Sequence, residues 1–178
     1  PTSQRGKLRA EMEESIRNAG IRATLIRLPE FYGPNVVSLT ARVFAARKRV
    51  AWPGHPDATV EFIYMPDAAR AMVRAGCAEN VDGETFHVPG ARTTPRAFIE
   101  SAGVSVIPVP PMLLHAAGLF DETAAGAADI AHLWTDPVLL DGSKYRQWFG
   151  EVPITPYAEG IAATRAWFDR QSSLRLQS

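Results

Sequence analysis

The sequence has very little cysteine and no long apolar run. Cys77 is the single cysteine among 178 residues, which excludes an internal disulfide framework and is typical of a reducing compartment. The apolar runs are far shorter than the roughly 18 residues that a membrane-spanning helix needs. Nineteen basic residues balance nineteen acidic ones, which argues against electrostatic binding to nucleic acid or anionic membranes. We therefore expect a cytoplasmic globular protein without nucleic-acid or membrane partners.

Several motifs that carry chemistry are missing as well. The four histidines do not form an HExxH motif or any clustered spacing, and a lone cysteine cannot complete a zinc site, so we expect no metal. No GxSxG turn is present to supply a serine nucleophile. A phosphate-binding GxGxxG or Walker loop is also absent from the 178 residues. Metallohydrolase and serine hydrolase chemistry are thus disfavoured.

What is present is an alternation of amphipathic helices and short branched, apolar strands. The pattern predicts helices at 5–19, 37–49, 66–79 and 93–103, and strands at 22–28, 59–65, 83–88 and 104–109. Beyond residue 110 it predicts helices at 110–118, 122–134 and 155–171, with a capped turn at 141–150. Residues 30–35 read as a loop. With no internal repeat and no linker, the order predicts an α/β fold in a single unit spanning residues 1–178.

Three stretches occur in a characteristic order. They are GKLRAEMEE followed by GIRATLIRLPEFYGPN, then EFIYMPDAARAMVRA, then GETFHVPGARTT with the distal WTDPVLLDGSKYRQWFGEVPITP. Together they resemble the NAD-dependent epimerase/dehydratase group of the extended or atypical short-chain dehydrogenase/reductase superfamily. The resemblance implies the C-terminal part of a Rossmann-type parallel sheet plus a mostly helical substrate-binding lobe. It also implies that the N-terminal half, which carries the dinucleotide fingerprint, is not in this chain.

The resemblance places a catalytic residue at Lys7. In the family a tyrosine four residues before a lysine transfers the proton, and the lysine lowers the tyrosine pKa and hydrogen-bonds the nicotinamide ribose. Residues four apart on a helix face the same side, and an ammonium favours a neighbouring phenolate. Here the tyrosine position is Ser3, whose hydroxyl is too weakly acidic for that step. The protein uses another acid, binds the dinucleotide without turnover, or has a tyrosine that this spacing misses.

The resemblance also implies a cofactor and substrate edge after the strand at 22–28. Leu28 and Pro29 match positions that approach the nicotinamide, together with Lys7. Glu30, Phe31 and Tyr64 match positions of the substrate pocket. Ligands of open α/β sheets do bind at the carboxyl ends of strands. The alternative, of equal weight, is that the prolines and glycine of this segment only shape a turn while its aromatic residues pack.

Two further positions bear on the substrate. Sugar-nucleotide epimerases commonly carry an arginine seven residues before the aspartate that matches Asp67, where it holds a diphosphate. This chain has Val60 at that position, and an apolar side chain cannot supply bidentate donors. A nucleotide-sugar substrate is therefore less expected than a small carbonyl or hydroxyl compound. We interpret Asp67 itself as a residue that stabilises a helix start.

Two functions remain open at the level of sequence. The first is the C-terminal portion of an NAD(P)-dependent epimerase, dehydratase or reductase, using NAD or NADP in the intact protein and inactive as this chain alone. The second is a dinucleotide-binding sensor without turnover. In the family the lysine-bearing helix commonly pairs with its copy, so the stripe of Leu8, Met12, Ile16 and Ala19 predicts a homodimer unless the stripe packs on the sheet.

Overall fold

The computed structural model describes residues 3–46, 48–110 and 131–175, together with seven residues between 111 and 130. For residues 172–175 only the backbone is described. Helices and strands alternate along this part of the chain. The helices are α1 (Gln4–Asn18), α2 (Leu39–Ala45), α3 (Met65–Gly76), α4 (Pro95–Ser101), α5 (His132–Thr135), α6 (Ser143–Phe149) and α7 (Tyr157–Arg175). The strands are β1 (Leu25–Arg27), β2 (Glu30–Tyr32), β3 (Arg49–Pro53), β4 (Val60–Tyr64), β5 (Thr85–His87), β6 (Ala91–Thr93) and β7 (Ser105–Val109).

The strands pair in three small groups that are mostly parallel. β1 pairs with β5, β2 with β4 and β3 with β7, all in parallel, and β6 joins β4 in antiparallel orientation. Parallel pairs need crossover connections, which the intervening helices provide. The predicted α/β fold with parallel strands is confirmed.

Two clusters of buried apolar side chains lie on opposite faces of the three-stranded sheet β2–β4–β6. Tyr32 and Phe62 belong to the first cluster, which α2, α4 and α7 cover, and Trp52 and Trp134 extend it. Ile63 belongs to the second, which α3 and α6 cover. Successive side chains of a strand point to opposite faces. The faces of the sheet therefore have different surroundings, and this difference positions the site described below.

The sequence predicted most elements but misplaced two boundaries. The helix predicted at 37–49 ends at Ala45, and Arg49 already begins β3, because residues 49–53 pair with residues 105–109. Arg47 lies outside the described residues, so the predicted helical end at residues 47–49 is wrong at least for Arg49. The strands β2 and β6 were not predicted. Each has only three residues and is defined by pairing with β4 rather than by local composition.

The distal part of the chain is helical where it is described. More than half of the residues in each of the predicted helices at 110–118 and 122–134 lie outside the described part of the chain. Residues 131–175 contain α5, α6 and α7 and no strand. No helix of the described part is long and apolar enough to cross a membrane.

Candidate functional site

The first turn of α1 carries Ser3 and Lys7. The Ser3 hydroxyl accepts a hydrogen bond from the Gly6 N–H at 3.1 Å and caps the helix. Lys7 is exposed, and no ion pair is recorded for it with any described residue. Farther along α1, the carboxylate of Glu13 accepts two hydrogen bonds from Arg27 of β1, at 3.0 and 2.6 Å. This bidentate pair fixes the helix beside the strand and leaves the Lys7 ammonium open to solvent.

Leu28 and Pro29 connect β1 to β2 at the carboxyl end of β1. Both are half-buried, and Leu28 packs against the second core cluster. The connection is short because β1 and β2 belong to different strand pairs and the chain shifts from one to the other here. A contact of this segment with a ligand, through the backbone and the proline ring, stays a prediction.

Glu30 is the unusual group of this edge. Its carboxyl oxygen Oε1 is buried and has no hydrogen-bond partner among the described residues. Burial raises the pKa of the Glu30 carboxyl, and the nearby Ser38 hydroxyl and Arg9 guanidinium only partly oppose that rise. An unpartnered buried carboxyl group costs free energy and is expected where a ligand or a proton-transfer step uses it.

The register of β2 and β4 separates the three predicted substrate residues. Glu30 lies opposite Phe62 and Tyr32 lies opposite Tyr64, so Glu30 and Tyr64 share one face of the sheet. Phe31 points to the other face, where it packs against the second cluster. The structure thus brings Glu30 and Tyr64 to one side and does not bring Phe31 to them. A contact of Phe31 with substrate stays a prediction.

Tyr64 is half-buried at the end of β4. Its ring lies 5.3 Å from the ring of Tyr32, centroid to centroid. Burial raises the pKa of the Tyr64 hydroxyl, and the Asp67 carboxylate adds to the rise. A tyrosine that transfers a proton near neutral pH needs a lowered pKa. The electrostatics of Tyr64 therefore suit hydrogen bonding rather than replacement of the tyrosine that is missing at Ser3.

Asp67 is a structural carboxylate. It is 2% exposed and accepts hydrogen bonds from the Thr155 N–H at 2.6 Å and the Thr155 hydroxyl at 2.9 Å, and it also pairs with Arg70. These contacts join the first turn of α3 to the segment that enters α7. The interpretation of Asp67 as a residue of the helix start agrees with this placement, and the contact with Thr155 extends it.

Val60 has no access to a ligand in this arrangement. Its side chain is 3% exposed and belongs to the first cluster together with Trp52 and Trp134. The position that carries an arginine in many sugar-nucleotide epimerases is therefore filled by apolar packing here. A valine cannot donate hydrogen bonds to a diphosphate, and the burial of Val60 is a second argument against a diphosphate contact at this position.

Sequence reasoning missed a second group of polar residues. The buried Glu61 of β4 pairs with Arg92 of β6, and its other oxygen accepts a hydrogen bond from the Leu140 N–H at 3.0 Å. These residues border a cleft of about 450 Å³ that Arg146 of α6 also lines. The three contacts join segments that are far apart in the chain, so no local motif could have indicated them.

No metal centre is formed by the residues that the structure describes. Among them, no group of three or more histidine, cysteine, aspartate or glutamate side chains is placed to hold an ion. Near the β1–β2 connection the structure places the Glu30 carboxyl group, whose pKa burial raises, and the guanidinium of Arg9, which partly opposes that rise. A carboxyl group with a raised pKa can hold a proton for transfer.

Two features of the described residues bear on a nicotinamide cofactor. The exposed ammonium of Lys7 has no ion pair with any described residue, and Oε1 of Glu30, which follows the β1–β2 connection, has no hydrogen-bond partner among them. Lys7, Leu28 and Pro29 are the residues that would hold the nicotinamide end of the dinucleotide. The described residues contain no glycine-rich phosphate loop that would hold its diphosphate.

These observations define the class of the fold. It is a Rossmann-like α/β fold with polar groups near the carboxyl end of a strand. Residues 8–88 match the model of the NAD dependent epimerase/dehydratase family. The resemblance to this family that the sequence motifs indicated is therefore confirmed over that segment. Among curated proteins, no sequence matches the chain at a significant level.

Solved structures support the same fold. The Bordetella bronchiseptica enzyme WbmH in complex with NAD⁺ is 21% identical with a TM-score of 0.62, and the match covers 90% of this chain and 50% of that one. UDP-glucuronic acid 4-epimerase from Bacillus cereus is 15% identical with a TM-score of 0.66, covering 91% and 50%. The dTDP-glucose 4,6-dehydratase DesIV from Streptomyces venezuelae is 20% identical with a TM-score of 0.64, covering 91% and 48%. The chain thus spans about half the length of these structures.

Proposed function

We propose that this chain is part of an NAD(P)-dependent epimerase, dehydratase or reductase that acts on a small carbonyl or hydroxyl compound. The observation that carries the proposal is the buried, unpartnered carboxyl oxygen of Glu30 at the edge where Leu28 and Pro29 leave β1. Arg9 of α1 is near enough to influence the Glu30 pKa, so α1 passes beside this edge. The family match and the NAD-bound relatives support a nicotinamide cofactor.

In this proposal Glu30 takes the proton-transfer role that Ser3 cannot fill. The Ser3 hydroxyl is engaged in capping α1, whereas Glu30 holds its proton to a higher pH than an ordinary glutamate. The nicotinamide supplies or accepts a hydride when it is bound. As a carbonyl is reduced, the Glu30 carboxyl donates its proton to the carbonyl oxygen and becomes a carboxylate. In the oxidative direction the carboxylate takes the hydroxyl proton back. Lys7 would hold the ribose at the nicotinamide end of the dinucleotide.

The proposed substrate class follows from the position of Val60 in the first cluster. Because Val60 is packed with Trp52 and Trp134, this chain offers no guanidinium at the position where many sugar-nucleotide epimerases hold a diphosphate. We therefore propose a substrate without a nucleoside diphosphate. The solved relatives named for UDP-glucuronic acid and dTDP-glucose chemistry would differ from this protein in that respect.

The second candidate is a dinucleotide-binding sensor without turnover. The specific observation in its favour is the use of Ser3 as a helix cap, which removes the residue at the family's catalytic position from chemistry. A sensor would need Lys7 and the Leu28–Pro29 connection to bind the dinucleotide. Glu30 would then have no role in proton transfer.

Turnover separates the two candidates. The longest natural protein that contains these 178 residues is assayed for oxidation of NADH and NADPH over a panel of small aldehydes, ketones and keto acids. The enzyme proposal predicts turnover of at least one compound, with a loss of roughly 100-fold or more in Glu30→Gln. Glu84→Gln is the matched control, because Glu84 is a surface residue paired with Lys144. Dinucleotide binding without any turnover would favour the sensor.

We also propose that α1 forms a homodimer contact. No residue of α1 is buried, and Leu8 and Met12 are 57% and 56% exposed, so the stripe is not used by the described core. Met12→Glu should therefore weaken self-association and leave the melting temperature unchanged. Sedimentation velocity of both proteins checks this, and a lowered melting temperature in the variant would show that the stripe packs within the fold instead.

A further inference from the structure

The cleft beside Glu61 lies on the opposite face of the sheet from Glu30. Glu61 and Phe62 are neighbours in β4 and point to opposite faces, and Glu30 shares the face of Phe62 by register. The cleft has a volume of about 450 Å³, which is large enough for a small molecule. It is bordered by β4, β6, the segment 139–142, α6 and the residue Ile154. It is therefore distinct from the edge at which we place the cofactor.

The carboxylates of the cleft are already engaged within the protein. The two oxygens of Glu61 are used by Arg92 at 3.4 Å and by the Leu140 N–H at 3.0 Å. Oδ1 of Asp141 accepts hydrogen bonds from the N–H and the hydroxyl of Ser143, at 2.9 and 2.6 Å. These bonds fix the two acidic side chains in place and leave one oxygen, Oδ2 of Asp141, without a recorded donor among the described residues.

The guanidinium groups, by contrast, are mostly unengaged. Arg92 is 64% exposed at its side chain, and Glu61 is the one acceptor recorded for it in the described part of the chain. Arg146 is exposed and donates to the Ser143 hydroxyl at 3.3 Å. Each guanidinium carries several donors in a plane, so most N–H groups on both are available to a ligand. The cleft is thus lined by two guanidiniums with available donors and by the carboxylates of Glu61 and Asp141, and a planar guanidinium suits the recognition of an oxyanion.

The cleft is also bordered by apolar side chains and by a glycine that permits close packing. Leu139 and Ile154 are exposed apolar side chains, 38% and 52% exposed, at its border. Gly142 is buried, and a Cβ at this position would lie 2.5 Å from Pro89 and 3.0 Å from Arg146. A glycine is therefore required for α6 and its arginine to approach the Pro89 side of the cleft this closely.

We propose that this cleft binds a small molecule that bears a phosphate or carboxylate group. The guanidiniums of Arg92 and Arg146 bind the oxyanion, and Leu139 and Ile154 contact the apolar body of the ligand. The site does not depend on the proposed dinucleotide chemistry, since none of its residues belongs to the Glu30 edge.

The test is an NMR titration of the ¹⁵N-labelled chain with inorganic phosphate, with benzoate and with neutral benzyl alcohol. We expect saturable shifts of the Leu140 and Gly142 amides with at least one anion and none with benzyl alcohol. Binding of phosphate alone or benzoate alone identifies which oxyanion the site takes. Shifts that never saturate, or that benzyl alcohol produces equally, would overturn the proposal.

Variants decide whether the guanidiniums carry the binding. Arg146→Gln should weaken binding about ten-fold, as expected for the loss of charge-assisted hydrogen bonds. Arg22→Gln removes the same charge from a surface pair outside the cleft and should leave binding unchanged. Arg92→Lys keeps a charge beside Glu61 but loses the planar donors, so it should also weaken binding. Equal affinity in Arg146→Gln and the parent chain would contradict the proposal.

Discussion

Glu61, which is buried, and Glu30, which is half-buried with one buried carboxyl oxygen, lie on opposite faces of one three-stranded sheet, and their surroundings differ. Both oxygens of Glu61 have partners, one from the neighbouring strand and one from the segment before α6. Glu30 keeps an oxygen without a partner among the described residues, and its pKa is raised by burial. A satisfied carboxylate holds distant segments together, whereas an unsatisfied one lowers stability and is available for chemistry. The comparison separates structural from functional carboxylates within the same sheet.

The faces also differ in how tightly they are closed. On the Glu30 face, Tyr32 packs against the rings of Tyr64, Phe98 and Tyr157. The Glu61 face carries the second cluster and, beside Arg92, the cleft. The Glu30 face therefore carries closely packed aromatic rings, whereas the Glu61 face borders an open cleft.

The largest expected effect comes from removing the partner of Glu61. Arg92→Ala leaves a carboxylate that is 1% exposed with a single backbone donor, and we expect unfolding to become easier by about 2–3 kcal/mol. Arg22→Ala is the control, because it breaks an ion pair whose arginine is 85% exposed, and it should cost less than about 0.5 kcal/mol. Urea denaturation measures both. Equal costs would show that Glu61 does not depend on its partner.

A smaller effect is expected from Gly160 on the closed face. A Cβ at Gly160 would lie 2.5 Å from the hydroxyl oxygen of Tyr32, whose ring is held by its aromatic neighbours. Gly160→Ala should therefore destabilise the fold by about 1–2 kcal/mol despite the better helix propensity of alanine. Gly76→Ala, where a Cβ meets nothing within 4 Å, should be neutral or stabilising by up to about 1 kcal/mol. Stabilisation by Gly160→Ala in thermal melts would contradict tight packing there.

The smallest effect is a pH-dependent gain in stability when Glu30 is replaced. A glutamate whose folded pKa is raised lowers stability as pH rises through that pKa, because the folded state must then give up a proton it holds more tightly. Glu30→Gln should therefore melt at a higher temperature than the parent chain at pH 8. The advantage should disappear as the pH falls to about 4, the ordinary range of glutamate. A constant difference across this range would mean that Glu30 is not strained by burial.

The sequence predicted the elements whose signal is local. The caps and apolar spacing of α1, α3 and α4 identified those helices, and branched apolar runs identified β1, β4, β5 and β7. It did not predict β2, β3 and β6, because these strands are defined by pairing with a distant strand rather than by their composition. At β3 the helix predicted at 37–49 also extended into residues that form the strand. A local sequence pattern carries no information about which distant strand a segment pairs with.

The candidate site rests partly on the sequence and partly on the structure. The resemblance predicted that Lys7, Leu28 and Pro29 bind the cofactor and that Glu30 contacts the substrate, and these roles stay predictions. The unpartnered oxygen of Glu30 and the opposite orientation of Phe31 depend on register, and only the structure gives them. The Arg92–Arg146 cleft depends on residues from three separate segments, so it had no sequence signal at all.

The central claim is that Lys7 and the edge beside Glu30 bind the nicotinamide end of a dinucleotide. Calorimetry with NADH and NADPH on the longest natural protein that contains this chain tests it most directly. The account predicts binding of at least one dinucleotide, about ten-fold weaker in Lys7→Ala and unchanged in Lys48→Ala, an exposed lysine beside β3. The 178 residues alone should show no measurable affinity, since contacts to one end cannot offset about 4 kcal/mol or more of lost translational and rotational freedom. Micromolar binding by the 178 residues alone, or equal affinity of the parent protein and Lys7→Ala, would contradict it.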